Sequence, residues 1–175
     1  LKHLLIVLTL FMTCGFLNSQ ELPPIQNYSI ADYDAGNQNW SITQTKNKHI
    51  FFGNNLGLLE FDGTRWNLHP SPNGTIIRAV HNDLVYTGCY MEFGYWVPNE
   101  YGRLDYISLI DKLNEPLIDD EHFWNITSRD EWVIFQSLNR VYLYNTKEEH
   151  FEIIDFDTTR AKIFNLGANI YLQKK

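Results

Sequence analysis

His49-Ile-Phe-Phe-Gly53, a short polar turn at Asn54-Asn55, then Gly57-Leu-Leu-Glu-Phe-Asp-Gly63: this stretch decides the fold. The first run is aromatic and β-branched on both faces and ends in a small residue, which reads as a strand buried on two sides. Asparagine tolerates left-handed backbone and suits the turn. Asp62-Gly63 is a hairpin signal that sends the second run back along a further strand, Arg65-Trp-Asn-Leu-His69. The same phrase returns as Leu84-Val-Tyr-Thr-Gly88 with Glu92-Phe-Gly-Tyr-Trp-Val97, and as Trp132-Val-Ile-Phe-Gln136 with Arg140-Val-Tyr-Leu-Tyr144. A further copy starts at Asn169-Ile-Tyr-Leu172. Matching strands lie ~34, ~48 and ~37 residues apart, the range of stacked or radial repeat units.

Working outward, Trp40-Ser-Ile-Thr-Gln44 alternates with period two and precedes the first copy as its strand one. Thr75 to Val80 takes that place in the second unit, and Phe123 onward in the third. Residues 105–118 come nearest to a helical pattern, and the reading there is a strand, then a loop with one helical turn. Glu21 to Gly36 is a polar lead-in, expected along the outside of the first unit. Four-stranded antiparallel units set side by side are propeller blades. The expected fold class is therefore all-β, a partial β-propeller of about three and a half four-stranded antiparallel blades. A β-sandwich or open meander is the alternative.

Residues 1–19 differ from the rest. Lys2 and His3 precede the apolar run Leu4 to Met12, and Asn18-Ser-Gln20 follows. A basic start, an apolar core well short of the ~20 residues that span a bilayer, and a small polar exit describe a signal peptide. Residues 20–175 form the exported domain, and the expected destination is the periplasm. The chain carries 14 Lys and Arg against 21 Asp and Glu, a formal net charge of −7. Removing the leader takes Lys2 with it and leaves a more acidic product. That balance argues against direct nucleic-acid binding, which needs clustered cations to neutralise phosphates. Of the two cysteines, Cys14 lies in the leader and Cys89 has no partner, so no disulfide framework is expected.

The runs Gln38-Asn-Trp-Ser-Ile42, Phe52-Gly-Asn54, Gly57 to Gly63 with Trp66, and Glu92-Phe-Gly-Tyr95 resemble the start of a bacterial family. These are the periplasmic β-propeller sensors of Bacteroidetes-type regulators, the two-component regulator propellers. The resemblance runs from about residue 21 to the end of the chain. It implies a propeller followed by a triple-tyrosine β-sandwich, one membrane helix, and a histidine kinase or LuxR-type output. It implies a sensing role in signal transduction and transcription control, with a carbohydrate or other small ligand as the partner. The blades needed to close the propeller, or a partner chain, are expected to complete this segment, and any membrane attachment would come through a downstream helix. An exported propeller enzyme, a lyase or glycosidase, and a non-catalytic partner-binding propeller are the rivals.

No Gly-x-Ser-x-Gly or phosphate-cradling glycine loop occurs, and the histidines are scattered without metal-ligand spacing, so neither catalytic residue, metal nor cofactor is expected. Asp119-Asp-Glu121 with His122 is read as a solvated acidic loop, and Cys89 as a small buried residue. In a blade, the loop between strands two and three shares a face with the loop entering strand one, and ligands favour such concave faces. On that face fall Asn39, Asn54, Asn55, Tyr90, Glu92, Trp124 and Arg140, the expected ligand-binding set. Amides, aromatics and one charge of each sign suit stacking on, and hydrogen bonding to, a sugar or peptide.

Overall fold

The computed structural model describes residues 2–3, 23–81, 84–156, 162–166 and 169–173. Apart from residues 2–3, the expected leader over residues 1–19 lies outside them, as does Cys14.

Fourteen strands are described. The first sheet is β1 (Asn39–Gln44), β2 (Ile50–Asn54), β3 (Gly57–Phe61) and β4 (Trp66–Pro70), in that spatial order. The second is β5 (Ala79–His81), β6 (Val85–Gly88), β7 (Phe93–Pro98) and β8 (Leu104–Ser108). The third is β9 (Asn125–Arg129), β10 (Trp132–Gln136), β11 (Arg140–Asn145) and β12 (His150–Asp155). The last pair is β13 (Lys162–Leu166) with β14 (Asn169–Gln173). Every pairing is antiparallel. A 3-10 turn at Ile110–Lys112 follows β8, where the sequence calls for one helical turn. One further turn of helix, Ile30–Tyr33, lies in the lead-in and has no counterpart in the sequence reading.

The sheets pack face to face in chain order, and strand alternation divides their side chains between successive cores. On β6, Val85 joins a core with Phe51 and Leu58 of the first sheet, while Tyr86 joins one with Phe135 of the third. On β10, Val133 and Phe135 face the second sheet, and Ile134 faces Ile163 of β13. On β11, Tyr142 and Tyr144 take the first of these cores and Val141 the second. This is why the middle strands read as unbroken apolar runs: neither face meets water. Phe93, Phe123, Phe135 and Tyr142 are fully buried, with ring centroids 4.5 to 5.6 Å apart along the contacts from Phe93 and Phe123.

The free side of the first sheet is covered in part by the lead-in. Tyr28 packs edge-on to Trp66 at 5.2 Å and tilted on Phe61 at 5.3 Å, and Tyr33 lies 5.6 Å from Trp66.

The sheets are joined by a repeated clasp. The backbone N–H of Ile77 donates to Asn54 O at 3.3 Å, and that of Phe123 to Cys89 O at 3.1 Å. Both donors are 0% exposed and sit in the segment entering the next sheet. A β-carbon on Gly53 would stand 2.7 Å from Ile77 O, and one on Gly88 would stand 2.6 Å from the Phe123 β-carbon. The small residue that closes strand two is therefore a crossing point between sheets. At the third crossing the residue is Gln136, whose Oε1 accepts the Ile163 N–H at 3.2 Å.

One strand is shorter than expected. β5 starts at Ala79, whereas the sequence pattern places a strand from Thr75. Asn73 takes the chain away from the sheet there: its Nδ2 donates to Tyr90 O at 2.7 Å and its Oδ1 accepts from the Thr75 hydroxyl at 2.7 Å.

Candidate functional site

The three full sheets present one equivalent position each at a common edge. Ser41 pairs with Gly53, Ala79 with Gly88 and Asn125 with Gln136, so the residues just before them are equivalent. Those residues are Trp40, Arg78 and Trp124. They form a stack: the Arg78 guanidinium lies 4.7 Å from the Trp40 ring centroid and 4.3 Å from that of Trp124. A bulge between Asn39 and Ser41 re-aims Trp40 as β1 starts. The indole faces hold the cation through the ring quadrupole, worth about 0.5–2 kcal/mol for such contacts. Arg78 makes no ion pair among the described residues, so its in-plane donors are uncommitted.

The stack continues in both directions. His122 lies 5.9 Å from Trp124 and 4.8 Å from Tyr90, to which it is also joined by a backbone bridge. The Nδ1 of His122 is buried without a hydrogen-bond partner among the described residues. At the other end Trp40 Nε1 donates to Asn55 Oδ1 at 2.8 Å. The result is a belt running Asn55, Trp40, Arg78, Trp124, His122, Tyr90.

Two clefts open along this belt. One, of about 350 Å³, is lined by Gly74, Thr75, Ile76, Arg78, Tyr90 and His122. The other, of about 470 Å³, lies between Trp124, Leu138, Lys162 and Ile163. Among the described residues, no acidic one lines either cleft. Trp40 and Trp124 remain 40% and 42% exposed, enough to offer ring surface to a ligand.

The structure brings five of the seven expected residues to this region and sends two elsewhere. Asn55, Tyr90 and Trp124 are in the belt. Asn39 is exposed beside it, and Asn54 is wholly buried beneath it. Asn54 donates to Gly36 O and to Asn39 Oδ1, both at 2.7 Å, and accepts the N–H groups of Gly36 at 2.9 Å and Leu56 at 3.0 Å. Its side chain holds the turn together. Glu92 lies in the β7–β8 seam, where its carboxylate accepts hydrogen bonds from Tyr106 at 3.0 Å and Ser108 at 2.8 Å. Burial pushes its carboxyl above the usual range, against those two bonds. Arg140 ion-pairs with Asp155 and donates to Pro116 O at 3.0 Å, which ties the β8–β9 connection to the third sheet. Arg78 is absent from the expected set. Aligning the units on Gly53, Gly88 and Gln136 would have found it, because that alignment places it level with both tryptophans.

Two further readings are corrected. Glu121 is not part of a solvated acidic loop: it is 2% exposed and accepts from Ser137 at 2.6 Å and from the Tyr142 hydroxyl. The histidines, scattered in the sequence, are not all apart in space. His49 Nδ1 and His69 Nε2 meet the two oxygens of buried Glu60 at 2.7 and 2.9 Å. The hydrogen bond from His69 is the main cause of a Glu60 carboxyl held below its ordinary value. This cluster borders a third cleft of about 420 Å³, with Lys46, Trp96 and Leu104, at the opposite end of the sheets from the belt. Cys89 is buried, and burial pushes its thiol up to about 11, so it is not a thiolate near neutral pH. No group of three metal-ligating side chains occurs among the described residues.

No protein-family model matches the chain, and no curated protein matches it. Solved structures that share its fold include two of one protein. Both are the extracellular domain of BT4673 from B. thetaiotaomicron, described once as a one component system and once as a hybrid two component system. The first has a TM-score of 0.55 at 20% identity and covers 77% of this chain. The second has a TM-score of 0.59 at 18% identity and covers 79%. The chain spans 19% of the length of each of those structures. No helix among the described residues is long and apolar enough to cross a membrane.

Proposed function

We propose that the chain is an exported, ligand-sensing segment of a signal-transduction regulator, built as about three and a half blades of a β-propeller. The stack of Trp40, Arg78 and Trp124 carries this reading, because it assembles one equivalent residue from each of three successive units. Repeat units that pack face to face and bring their first strands together place such a set near a common axis, where propellers bind ligands. The likeness to the extracellular domains of BT4673 supports a role outside the cytoplasm, and the periplasm is the proposed compartment. The remaining blades and the output domain belong to further segments or a partner chain, and the transcriptional effect would be exerted there.

A glycosidase reading is weaker at this site, whereas a lyase, which needs no carboxylate pair, is not argued against by the same feature. Hydrolysis of a glycosidic bond uses a pair of carboxylates across the scissile bond, and among the described residues no carboxylate lines either cleft of the belt. The proposed ligand-binding residues are Asn39, Asn55, Tyr90 and Trp124 from the expected set, with Arg78 and His122 added.

The test is tryptophan fluorescence of the full chain titrated with a panel of oligosaccharides and short peptides. A saturable change that disappears in Trp124→Ala, with circular dichroism unaltered, is the expected result. A ligand that binds Trp124→Ala as tightly as the parent would remove the site from the belt, and silence across the panel would remove the sensing role.

A further inference from the structure

We infer that the belt recognises a carboxylated sugar, a uronate-type saccharide, through the guanidinium of Arg78. The inference rests on the sensing reading and adds the chemistry of the ligand.

Charge complementarity comes first. The chain has a formal net charge of −7, yet among the described residues the two belt clefts are lined by Arg78, His122 and Lys162 and by no acid; the exposed carboxylate of Asp120 lies 4.0 Å from His122 Nε2. The third cleft, at the other end of the sheets, does contain a carboxylate, Glu60. Arg78 and Lys162, with no carboxylate among the described lining residues, give these clefts a local positive field, and such a field draws in anions.

The geometry of Arg78 narrows the anion. Sandwiched between two indoles, the guanidinium plane is held in place, while its N–H donors point along the plane and carry no ion pair among the described residues. A fixed, planar fork matches the two oxygens of a carboxylate. The surroundings narrow the rest of the ligand. Trp40 and Trp124 flank the fork with ring surface that is 40% and 42% exposed, a flat apolar wall for the C–H face of a pyranose. Asn39 and Asn55 use their Oδ1 atoms internally, and their Nδ2 groups have no acceptor among the described residues. A carboxylate on a ring that bears hydroxyls uses all of these groups. A neutral sugar leaves the guanidinium desolvated with no counter-charge.

The experiment compares digalacturonate with the neutral galactose disaccharide of the same linkage, by tryptophan fluorescence and calorimetry on the full chain at low and at physiological salt. Digalacturonate is expected to bind at least tenfold tighter than the neutral disaccharide and to weaken as salt rises. Arg78→Gln should lose that tenfold preference. Arg78→Lys, which keeps the charge but not the fork, should lose most of it. Should Arg78→Gln fail to fold by circular dichroism, the Arg78→Lys comparison and the salt dependence of the parent decide the matter. Equal binding of both disaccharides, or binding of the neutral one alone, overturns the uronate inference and leaves sensing intact. No response to either disaccharide, with a response to another member of the oligosaccharide and peptide panel, overturns the inference alone. No response to anything overturns both.

Discussion

Glu60 and Glu92 are both carboxylates in strands or at their edges, and their environments push them in opposite directions. Glu60, bonded to His69 and His49, has a folded pKa below its unfolded value near 4.5. Its contribution is complete above about pH 4.5 and is lost as the pH falls through the folded value, because the unfolded chain takes up the proton first. Glu92 is raised by burial, so it opposes folding as the pH climbs above about 4.5 and the unfolded chain ionises first. Urea melts between pH 3 and 7 should show Glu60→Gln flattening the acid limb, and Glu92→Gln gaining stability relative to the parent as the pH rises. Asn54 is a different case. Its side chain makes four hydrogen bonds with no exposure to water, so Asn54→Ala leaves the backbone groups of half-buried Gly36 and the N–H of Leu56 without these partners. A total loss of roughly 1–3 kcal/mol is the expected scale, read from the urea midpoint. The asparagine pair was visible in the sequence as a turn. Which member faced inward was not, because that depends on where Gly36 returns.

At the scale of the elements, the small residue closing strand two had a reason the sequence could not state. Repetition at Gly53 and Gly88 is plain in the chain, but the need for it comes from Ile77 and Phe123 crossing from the next unit. Gly88→Ala sets a β-carbon against the fixed Phe123 β-carbon and should cost about 1–3 kcal/mol, the usual scale for overpacking. Its signature is a lower urea midpoint with an unchanged slope. The strands themselves were legible, since two-sided apolar runs bounded by Asx and Gly turns have few alternatives. The exception was β5. Thr75 to Arg78 has strand-forming composition, but Asn73 and the clasp to Asn54 divert it, and both are contacts between units. The meeting of His49, Glu60 and His69 likewise follows from pairing register, which puts residues of β3, β4 and the approach to β2 on one face.

For the whole molecule, the stacking of sheets sets which surfaces stay open. Phe164, Leu166, Tyr171 and Leu172 of the β13–β14 pair are 41–66% exposed, and Ile42 on β1 is 63% exposed. Contiguous apolar strand surface of this kind favours association. The full chain is expected to self-associate as its concentration rises, and Leu166→Lys should reduce that. Sedimentation velocity across a concentration series checks both. A concentration-independent monomer for the parent would mean that these side chains are covered.

Strand identity, antiparallel order and the division into units were written in the chain, because alternation and turn chemistry are local. The face carrying the candidate site was also legible from loop order. The tertiary structure alone decided which residues of that face do what. It buried Asn54, spent Glu92 on Tyr106 and Ser108, spent Arg140 on Asp155, and placed Arg78 between two tryptophans 38 and 46 residues away in sequence. Those outcomes depend on neighbours brought together by the packing of one sheet on the next, and no local pattern encodes that distance.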